Sequence, residues 1–574
     1  MKQPYRRDQP SPGHQPPATG GAGLPPHLPA PWTDPADADR SFERDLTHFP
    51  QPVTTLDFAF LKHTVEHGLA TTVPRFAAPF RVELRRFWTR VYNHEVLYCE
   101  PQDVPRLWST ATREAFAPML ADLERQWSDA WLPELRSAQA FWAVFDLAAA
   151  GDADLAAHLD ASLARVRRVW EIHFEVVYAV AHAWSMFWET YSEVFEGATQ
   201  LDAAALVSGF DNLTAEAGLA VWRLRDVATS LPGVADVVAA SEPAEALARL
   251  RATPGAEPLL AALDAYLARY GRRATRLSLG AKTLLEDPTP VLAQLRDAVA
   301  QPESDPRRHR ERLAAEREAA VLRARERVAR YPRPLRAEFE HRMRQAQVAV
   351  RLKEDHNFII DHETTAAVRA VVVELAGRLA RAGALHGPED VAHLDLRELR
   401  AAAEALAAGR KDDEALDLRD RVAARAAEME RYADVAVPTT LGPPRPVPPQ
   451  AARGAAPSAG TLEGVGMSAG VARGRVRVAR TFDEARALRP GEVLVATSTS
   501  QPWTPLFATA AALVTEVGGV LSHMGVIARE YRLPAVAGVT GATELLEDGA
   551  LVEVDGLAGV VRVLAEGFSP PRGP

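Results

Sequence analysis

Residues 515–539 read TEVGGVLSHMGVIAREYRLPAVAGV, and their order decides what kind of domain closes the chain. An apolar strand runs out through LVTEV into two glycines, and a short helix is expected to begin near Ser522. His523 then falls in the first turn of that helix, behind a loop whose backbone can be approached closely. Free N–H groups and the positive end of the helix dipole favour a phosphoryl group at such a place. A neutral imidazole is a competent nucleophile near pH 7. Gly518 and Gly519 shape the loop, Ser522 caps the helix or binds a phosphate oxygen, and Thr515 stands at the strand end facing the same loop. Arg529, about two turns on, braces the domain or meets a partner. The plain alternative is that His523 caps or packs, because strand–Gly-Gly–helix junctions are common in α/β folds.

Outward from this junction the apolar period is two. GRVRVA, EVLVATS, ALVTE, AVAGV, LVEVD and GVVRVL read as strands, and FDEARAL, WTPLFATA, SHMGVIAREY and TELLE as short helices. Residues 461–567 are expected to form a compact α/β domain, with 568–574 as a tail. Residues 437–460 are a Pro/Ala-rich linker that at ~3.1 Å per residue could span ~70 Å. Residues 39–436 read as a mainly helical body, since from Thr55 to Asp434 apolar residues recur three and four apart among Ala, Leu, Arg and Glu. Residues 1–38, rich in Pro, Gly and Ala, read as a disordered tail. The expected fold class is multidomain: a large, mainly α-helical body followed by a small α/β domain.

Within the body, VWEIHFEVVYAVAHAWSMFWETYSEVF puts Trp170, Phe174, Val177, Ala181, Trp184, Trp188 and Tyr191 on one helical face. Such a stripe belongs in a core or in the wall of an apolar pocket. Residues 307–350 are more charged and read as a solvated helix pair bending at Pro332 and Pro334. In RLKEDHNFIID, Lys353, His356, Asn357 and Ile360 share a face by i, i+3, i+4 and i+7 spacing. A cation beside an imidazole could hold a travelling phosphoryl group and deprotonate an acceptor hydroxyl. Otherwise this is a polar face whose Lys353 and Glu354 pair with neighbours. NHEVLYCE imitates a zinc-protease helix, but Tyr98 stands where HExxH needs a second histidine. Asp355, His356, Asp361, His362 and Glu363 are metal-capable types without metal spacing, and no metal site is expected.

The 574 residues suit about three or four domains. Sixty-six basic against 76 acidic side chains leave a net charge of −10, and so no general basic field for nucleic acid. A single cysteine, Cys99, rules out an internal disulfide or a multi-cysteine metal site. The opening MKQPYRRDQPSPGHQPP lacks the apolar stretch of an export signal, and no segment approaches the ~20 apolar residues of a membrane span. The cytoplasm is the expected compartment, with neither nucleic acid nor membrane as partner.

TEVGGVLSHMGVIAREYRLPAVAGV resembles the phosphohistidine segment of the swivelling domain of phosphoenolpyruvate-utilising enzymes, among them phosphoenolpyruvate synthase, pyruvate phosphate dikinase and rifampicin phosphotransferase. The likeness runs back through GVGMSAGVARGRVRV and GEVLVATSTSQPWTPLFATAAALVTE, and on through LLEDGALVEVDGLAGVVRVL. It implies that His523 accepts a phosphoryl group and carries it between remote sites. Met524-Gly525 departs from the pair of small residues usual after the histidine, and Leu521 stands where a regulatory threonine is found in plant dikinases. YLARYGRRATRLSLGAKTLLEDPTPVLAQL, the stretch from RLKEDHNFIID to LDLREL, and HFPQPVTTL are similar to the substrate-binding region of rifampicin phosphotransferase-like proteins. On that likeness Lys353 stands at a family arginine, and Arg272 at a common histidine.

The candidate site is therefore His523, Lys353 and His356 for catalysis, with Gly518, Gly519, Ser522 and Thr515 around the phosphate and Arg529, Asp355 and Asn357 in support. Relatives that use ATP carry an ATP-grasp domain ahead of the helical body, and this sequence is expected to lack one. It has no Walker A pattern, and a phosphoenolpyruvate-binding barrel after Pro574 is not expected. The resemblance thus implies a histidine-relay phosphotransferase subunit binding no cofactor of its own. A separate ATP-grasp partner, as in phenylphosphate synthase, would phosphorylate His523 from ATP and Mg2+. The helical region would then present the hydroxyl or carboxylate of a small-molecule acceptor. Two other classes stay open: a non-catalytic signalling or scaffold subunit carrying phosphohistidine, and a diverged enzyme using His523 as a general base.

Overall fold

The computed structural model describes residues 28, 29, 32, 34–100, 103–302, 305–410, 414–443, 460–499, 503–507, 509–520 and 522–564. Most of the expected tail 1–38, the linker residues 444–459, the tail 568–574 and Leu521 lie outside these. Two compact units interleave along the sequence. One takes Met1–Ala121, Val144–Glu175 and Ala370–Arg453; the other takes Asp122–Ala143, Val176–Arg369 and Gly454–Pro574. The helical body expected at 39–436 is thus divided, and its central part shares a unit with the α/β domain.

The first unit holds an antiparallel sheet in the order Phe80–Phe87, Arg90–Leu97, Phe42–Arg44, Thr440–Leu441, the first three of these strands standing within the body expected to be mainly helical. FRVELRRF and RVYNHEVL pair residue by residue from Phe80↔Leu97 to Phe87↔Arg90, and Trp88-Thr89 close the hairpin with φ of 46° and 64°. Two-residue turns of this hand ordinarily announce themselves as Asn-Gly. Here buried contacts hold the turn instead. Trp88 donates its indole N–H to the Pro29 carbonyl at 3.2 Å, and Thr89 Oγ1 accepts from Arg90 at 2.7 Å. Arg90 also donates to the Tyr432 and Ala433 carbonyls at 3.1 and 2.9 Å. Burial, aided by Arg44, pushes its guanidinium down to about 10. Two boundaries read from the sequence shift. Pro35–Asp39 forms a 3-10 turn whose Asp37 accepts from Arg85 at 2.9 Å, so part of the expected tail is built in. Thr440–Leu441 is a strand inside the expected linker, paired with Phe42–Glu43. His94 and Glu95 of NHEVLYCE lie on a strand, not a helix.

In the second unit an eight-stranded sheet runs Thr461–Glu463, Val560–Val563, Leu551–Asp555, Val471–Ala479, Val493–Ala496, Ala512–Thr515, Ala535–Ala537, Val465–Ser468. The four strands from Val471–Ala479 to Ala535–Ala537 are mutually parallel, and the pairings on either side of them are antiparallel. Six of these eight match the expected strands, Thr461–Glu463 and Val465–Ser468 being additional, and the four expected helices appear as Phe482–Ala485, Thr504–Phe507, His523–Tyr531 and Ala542–Leu545. VLVA, ALVT and AVA are buried on both faces. Leu494, Leu513 and Ala535 pack towards Met524 and Ile527, whereas Val495, Val514 and Val536 pack towards Ala542 and Leu545. Each fully buried Val or Leu contributes about 2 kcal/mol, which makes the sheet centre firm ground for the loops leaving it.

The helical half of this unit has one core around Phe187, Tyr191, Phe339 and Met343, and another around Leu259, Leu263, Leu295 and Phe358. In the long Asp152–Val194 helix the expected stripe holds only in part. Trp170, Phe174 and Tyr191 are buried, but Ala181 is exposed and Val176, Ala179, Val180 and Ala183 occupy the interior instead. That helix contributes residues to both units, so no single face serves its whole length. Among the described residues, no helix is long and apolar enough to cross a membrane.

Candidate functional site

The parallel strand Ala512–Thr515 delivers the chain into the loop, and the helix His523–Tyr531 receives it. Ser522 caps that helix, its Oγ accepting from the Gly525 N–H at 3.2 Å, so the first of its two expected roles is filled. Gly518 adopts φ +142°, a conformation that a side chain would strain. A Cβ on Gly525 would stand 2.9 Å from the Val520 carbonyl oxygen and 3.0 Å from that of Gly519, because the loop folds down over the first helical turn. Arg529 braces the loop from below, donating to the carbonyls of Val520 at 2.8 Å and Met467 at 3.1 Å. Its Nε also reaches Ser208 Oγ of the helical half at 3.4 Å. Thr515 is buried, and its Oγ1 has no hydrogen-bond partner.

His523 occupies the first helical position, its side chain 10% exposed, with Nδ1 3.4 Å from Glu354 Oε2. Glu354 comes from the Arg333–His356 helix and is wholly buried. Burial alone would push its carboxyl up; the His523 imidazole outweighs this, Lys353 and Thr214 add to it, and the carboxyl ends below its usual value. Burial pushes the neighbouring Lys353 ammonium down to about 8, with Glu354 opposing and Arg529 reinforcing the fall. Burial, helped by the Glu354 charge, pushes Glu530 up to about 7, against Arg310 and Arg529. Arg529 itself is driven down to about 10 by burial. An imidazole, two carboxyls, an amine and a guanidinium thus share one electrostatic neighbourhood, and two of them titrate near neutrality. Nδ1 is the ring nitrogen turned to the carboxylate, and Nε2 lies on the other side of the ring.

The other expected residues are placed differently. His356 is 2% exposed, and its Nδ1 lies 2.8 Å from the Leu352 carbonyl of its own helix, the setting of a core histidine. Asp355 accepts from the Leu213 N–H at 2.8 Å, serving the start of the Leu213–Ser230 helix, and burial pushes its carboxyl up to about 6. Asn357 opens a π-helical stretch, Asn357–Thr364. Arg272 is exposed and lies in the field of Glu363. The residue that meets His523 is Glu354, for which helical spacing predicts only an ordinary ion pair. A signal for it existed. Phe339, Met343, Ala346 and Val350 form the buried row of this helix, and Glu354 is the next position in that row. A carboxylate continuing an apolar stripe marks a buried acid.

Comparison with known proteins agrees in placing both elements within recognised domains. Residues 172–354 match the rifampicin phosphotransferase fourth domain, and residues 488–559 match the mobile domain of PEP-utilising enzymes. The first stretch ends on Glu354 and the second contains His523. Chondramide synthase of Chondromyces crocatus is 35% identical over 559 residues, 95% of this chain and 14% of that protein. A rifampicin phosphotransferase of a Streptomyces species is 34% identical over 368 residues, 62% of this chain and 41% of the enzyme. An uncharacterized protein of Mycobacterium tuberculosis is 43% identical over 200 residues, 34% of this chain and 21% of its own. The chain spans less than half the length of each.

Proposed function

We propose, for a chain that fits the phosphoenolpyruvate-utilising enzyme family through both matched domains, a phosphotransferase activity relayed by His523. In the charging half, an ATP-grasp partner on a separate protein presents ATP with Mg2+. The Nε2 lone pair attacks phosphorus, and a P–N bond forms as the P–O bond to the nucleotide breaks. In the discharging half, with the domain against Glu354, an oxygen of a small-molecule acceptor attacks phosphorus and the P–N bond breaks. Glu354 keeps a proton on Nδ1, so the ring departs as neutral imidazole rather than as an anion. Protonated Lys353 offsets the phosphoryl charge; in its neutral form it takes the proton of a hydroxyl acceptor, whereas a carboxylate acceptor has none to give.

The observation that carries this reading is the 3.4 Å approach of His523 Nδ1 to a wholly buried carboxylate beside a lysine held near pH 8. The test is incubation with γ- and β-labelled ATP, Mg2+ and an ATP-grasp protein, followed by acid and alkaline stability of any protein-bound label. The reading expects acid-labile label that is absent in His523→Ala and is chased to a small molecule by an acceptor. The same imidazole–carboxylate pair suits a general base equally well, and turnover without any label would favour that role. A stable label that no acceptor discharges would favour signalling.

A further inference from the structure

Glu354 is wholly buried, and its Oε2 stands 3.4 Å from His523 Nδ1, longer than an ordinary hydrogen bond. A second donor lies beside the same carboxylate. Thr214, only 6% exposed, helps hold the Glu354 carboxyl below its usual value, yet its hydroxyl completes no hydrogen bond in this arrangement. The backbone around Thr214 is firmly placed. It is the second residue of the Leu213–Ser230 helix, whose cap Asn212 accepts from the Ala215 N–H at 2.8 Å. The Leu213 N–H is taken at 2.8 Å by Asp355, the residue after Glu354. Further along, Ala217, Ala220, Val221 and Leu224 enter the core around Leu259 and Leu263. The first turn of this helix is thus a fixed wall beside Glu354, with a hydroxyl rotor at its edge.

A buried hydroxyl left unpaired is unfavourable, and so is a buried carboxylate stripped of a donor. Departure of the α/β domain would take the imidazole away from Glu354. We propose that Thr214 is a positioning residue: its hydroxyl takes over the Glu354 carboxylate when His523 leaves and yields it when His523 returns. The hydroxyl and the ring exchange on one acceptor. A Thr214 O–H···O bond forms as the imidazole contact is lost, and no proton is transferred. The exchange is internal, so the hydroxyl needs no opening to solvent. It offsets part of the cost of opening the docked arrangement and keeps the carboxylate aimed for the next arrival. The inference rests on the proposed commuting of His523 to and from Glu354.

Carbethoxylation of His523 by diethyl pyrocarbonate in the full chain, followed by peptide mass spectrometry at several pH values, reads departure directly, because the docked ring is only 10% exposed. Without the hydroxyl, departure is costlier. His523 should therefore react about tenfold more slowly in Thr214→Val than in the wild type, the effect of one hydrogen bond to a charged group, and at the wild-type rate in Thr214→Ser. An unchanged rate in Thr214→Val would mean that water satisfies the carboxylate, and a faster one that Thr214 only packs; either overturns the proposal. So does a Thr214→Ser rate as slow as that of Thr214→Val. Unfolding by denaturant gives a second reading. Thr214→Val should cost little alone, but should raise the unfolding constant about tenfold in His523→Ala, where the carboxylate relies on the hydroxyl throughout. Equal costs in both backgrounds refute the exchange, and the carbethoxylation arm stands if the double variant does not fold. Neither measurement involves phosphoryl transfer, so failure here and failure of the relay are told apart.

Discussion

Replacing Glu354 by glutamine keeps the shape of a wholly buried side chain and removes its charge. At 3.4 Å, two full charges in a medium of effective dielectric ~20 would interact by ~5 kcal/mol, an upper limit. The approach is long for a hydrogen bond, so a charge-assisted contribution of about 2 kcal/mol is the appropriate figure. Two kcal/mol corresponds to ~30-fold in rate and ~1.5 pH units in a titration. The loss should fall on one half-reaction only. On the proposed relay, charging takes place at the partner, away from Glu354, so incorporation of label should be unchanged. On the same proposal, discharge takes place against Glu354, whose carboxylate keeps Nδ1 protonated. In Glu354→Gln the alkaline limb of the chase rate should move to lower pH by ~1.5 units, with ~30-fold slower discharge above it and little change below it. Rapid-quench measurement of label loss across pH 5.5–9.5 reads both quantities. Equal slowing at all pH values would reduce Glu354 to a packing residue. Loss of charging with normal discharge would refute the assignment of the docked pose to the acceptor step.

Lys353 carries a folded-state value of about 8 against 10.5 unfolded, so the folded chain holds fewer protons between those values and stability should rise with pH through that window. The rise should be on the order of 1–3 kcal/mol in denaturant midpoints, and Lys353→Met should flatten it. Glu530 has the opposite sign. Its value is raised from 4.5 to about 7, so the stability it confers is present below pH 4.5 and is lost as pH rises towards 7; Glu530→Gln should remove that slope. Gly525→Ala places a methyl group 2.9 Å from the Val520 oxygen. It should destabilise by about 1–3 kcal/mol in thermal unfolding and slow charging by displacing the loop.

The α/β domain was legible almost entirely, because its strands are short, apolar on a period of two and punctuated by glycine. GRVRVA, ALVTE and LVEVD could not be anything else once their turns were recognised. Placement of His523 followed from the same local grammar, and the structure sets it at the first helical position as read. The hairpin Phe80–Leu97 was hidden because its turn, Trp88-Thr89, is fixed by tertiary contacts to Pro29 and Arg90 rather than by its own chemistry. Glu354 was hidden for a related reason. Helical spacing groups Lys353 with His356 and Asn357, but which face meets another domain depends on packing, and packing turned His356 inward. Local periodicity reports what a helix can present; it does not report to whom.

The contacts that hold the His523 domain against the helical half bear on whether it can commute at all. They comprise the His523–Glu354 approach, the Arg529 contact with Ser208, an ion pair between Arg532 and Glu316, and an apolar patch where Ala204 and Trp184 join Met467 and Met524. The Arg532–Glu316 pair is half exposed and of the kind that contributes about 0–1 kcal/mol. An interface fastened by buried aliphatic residues alone would stay shut, whereas this one includes groups whose charge changes near neutrality. Lys353, at about 8, would feel a phosphoryl dianion brought to it on His523, whereas Glu530, at about 7, travels on the same helix as His523 and meets burial and the Glu354 charge on docking; both changes favour the protonated form. Arrival of charged His523 should therefore take up protons, and departure of the discharged ring should release them. Shifting a docking equilibrium from 1:99 to 99:1 takes ~5.5 kcal/mol of differential binding. Two protonations coupled by a few kcal/mol each lie within reach of that range. A pH-indicator measurement during a single turnover should show proton uptake on docking, smaller in Glu530→Gln; a turnover with no transient would mean that docking is governed by the apolar patch instead.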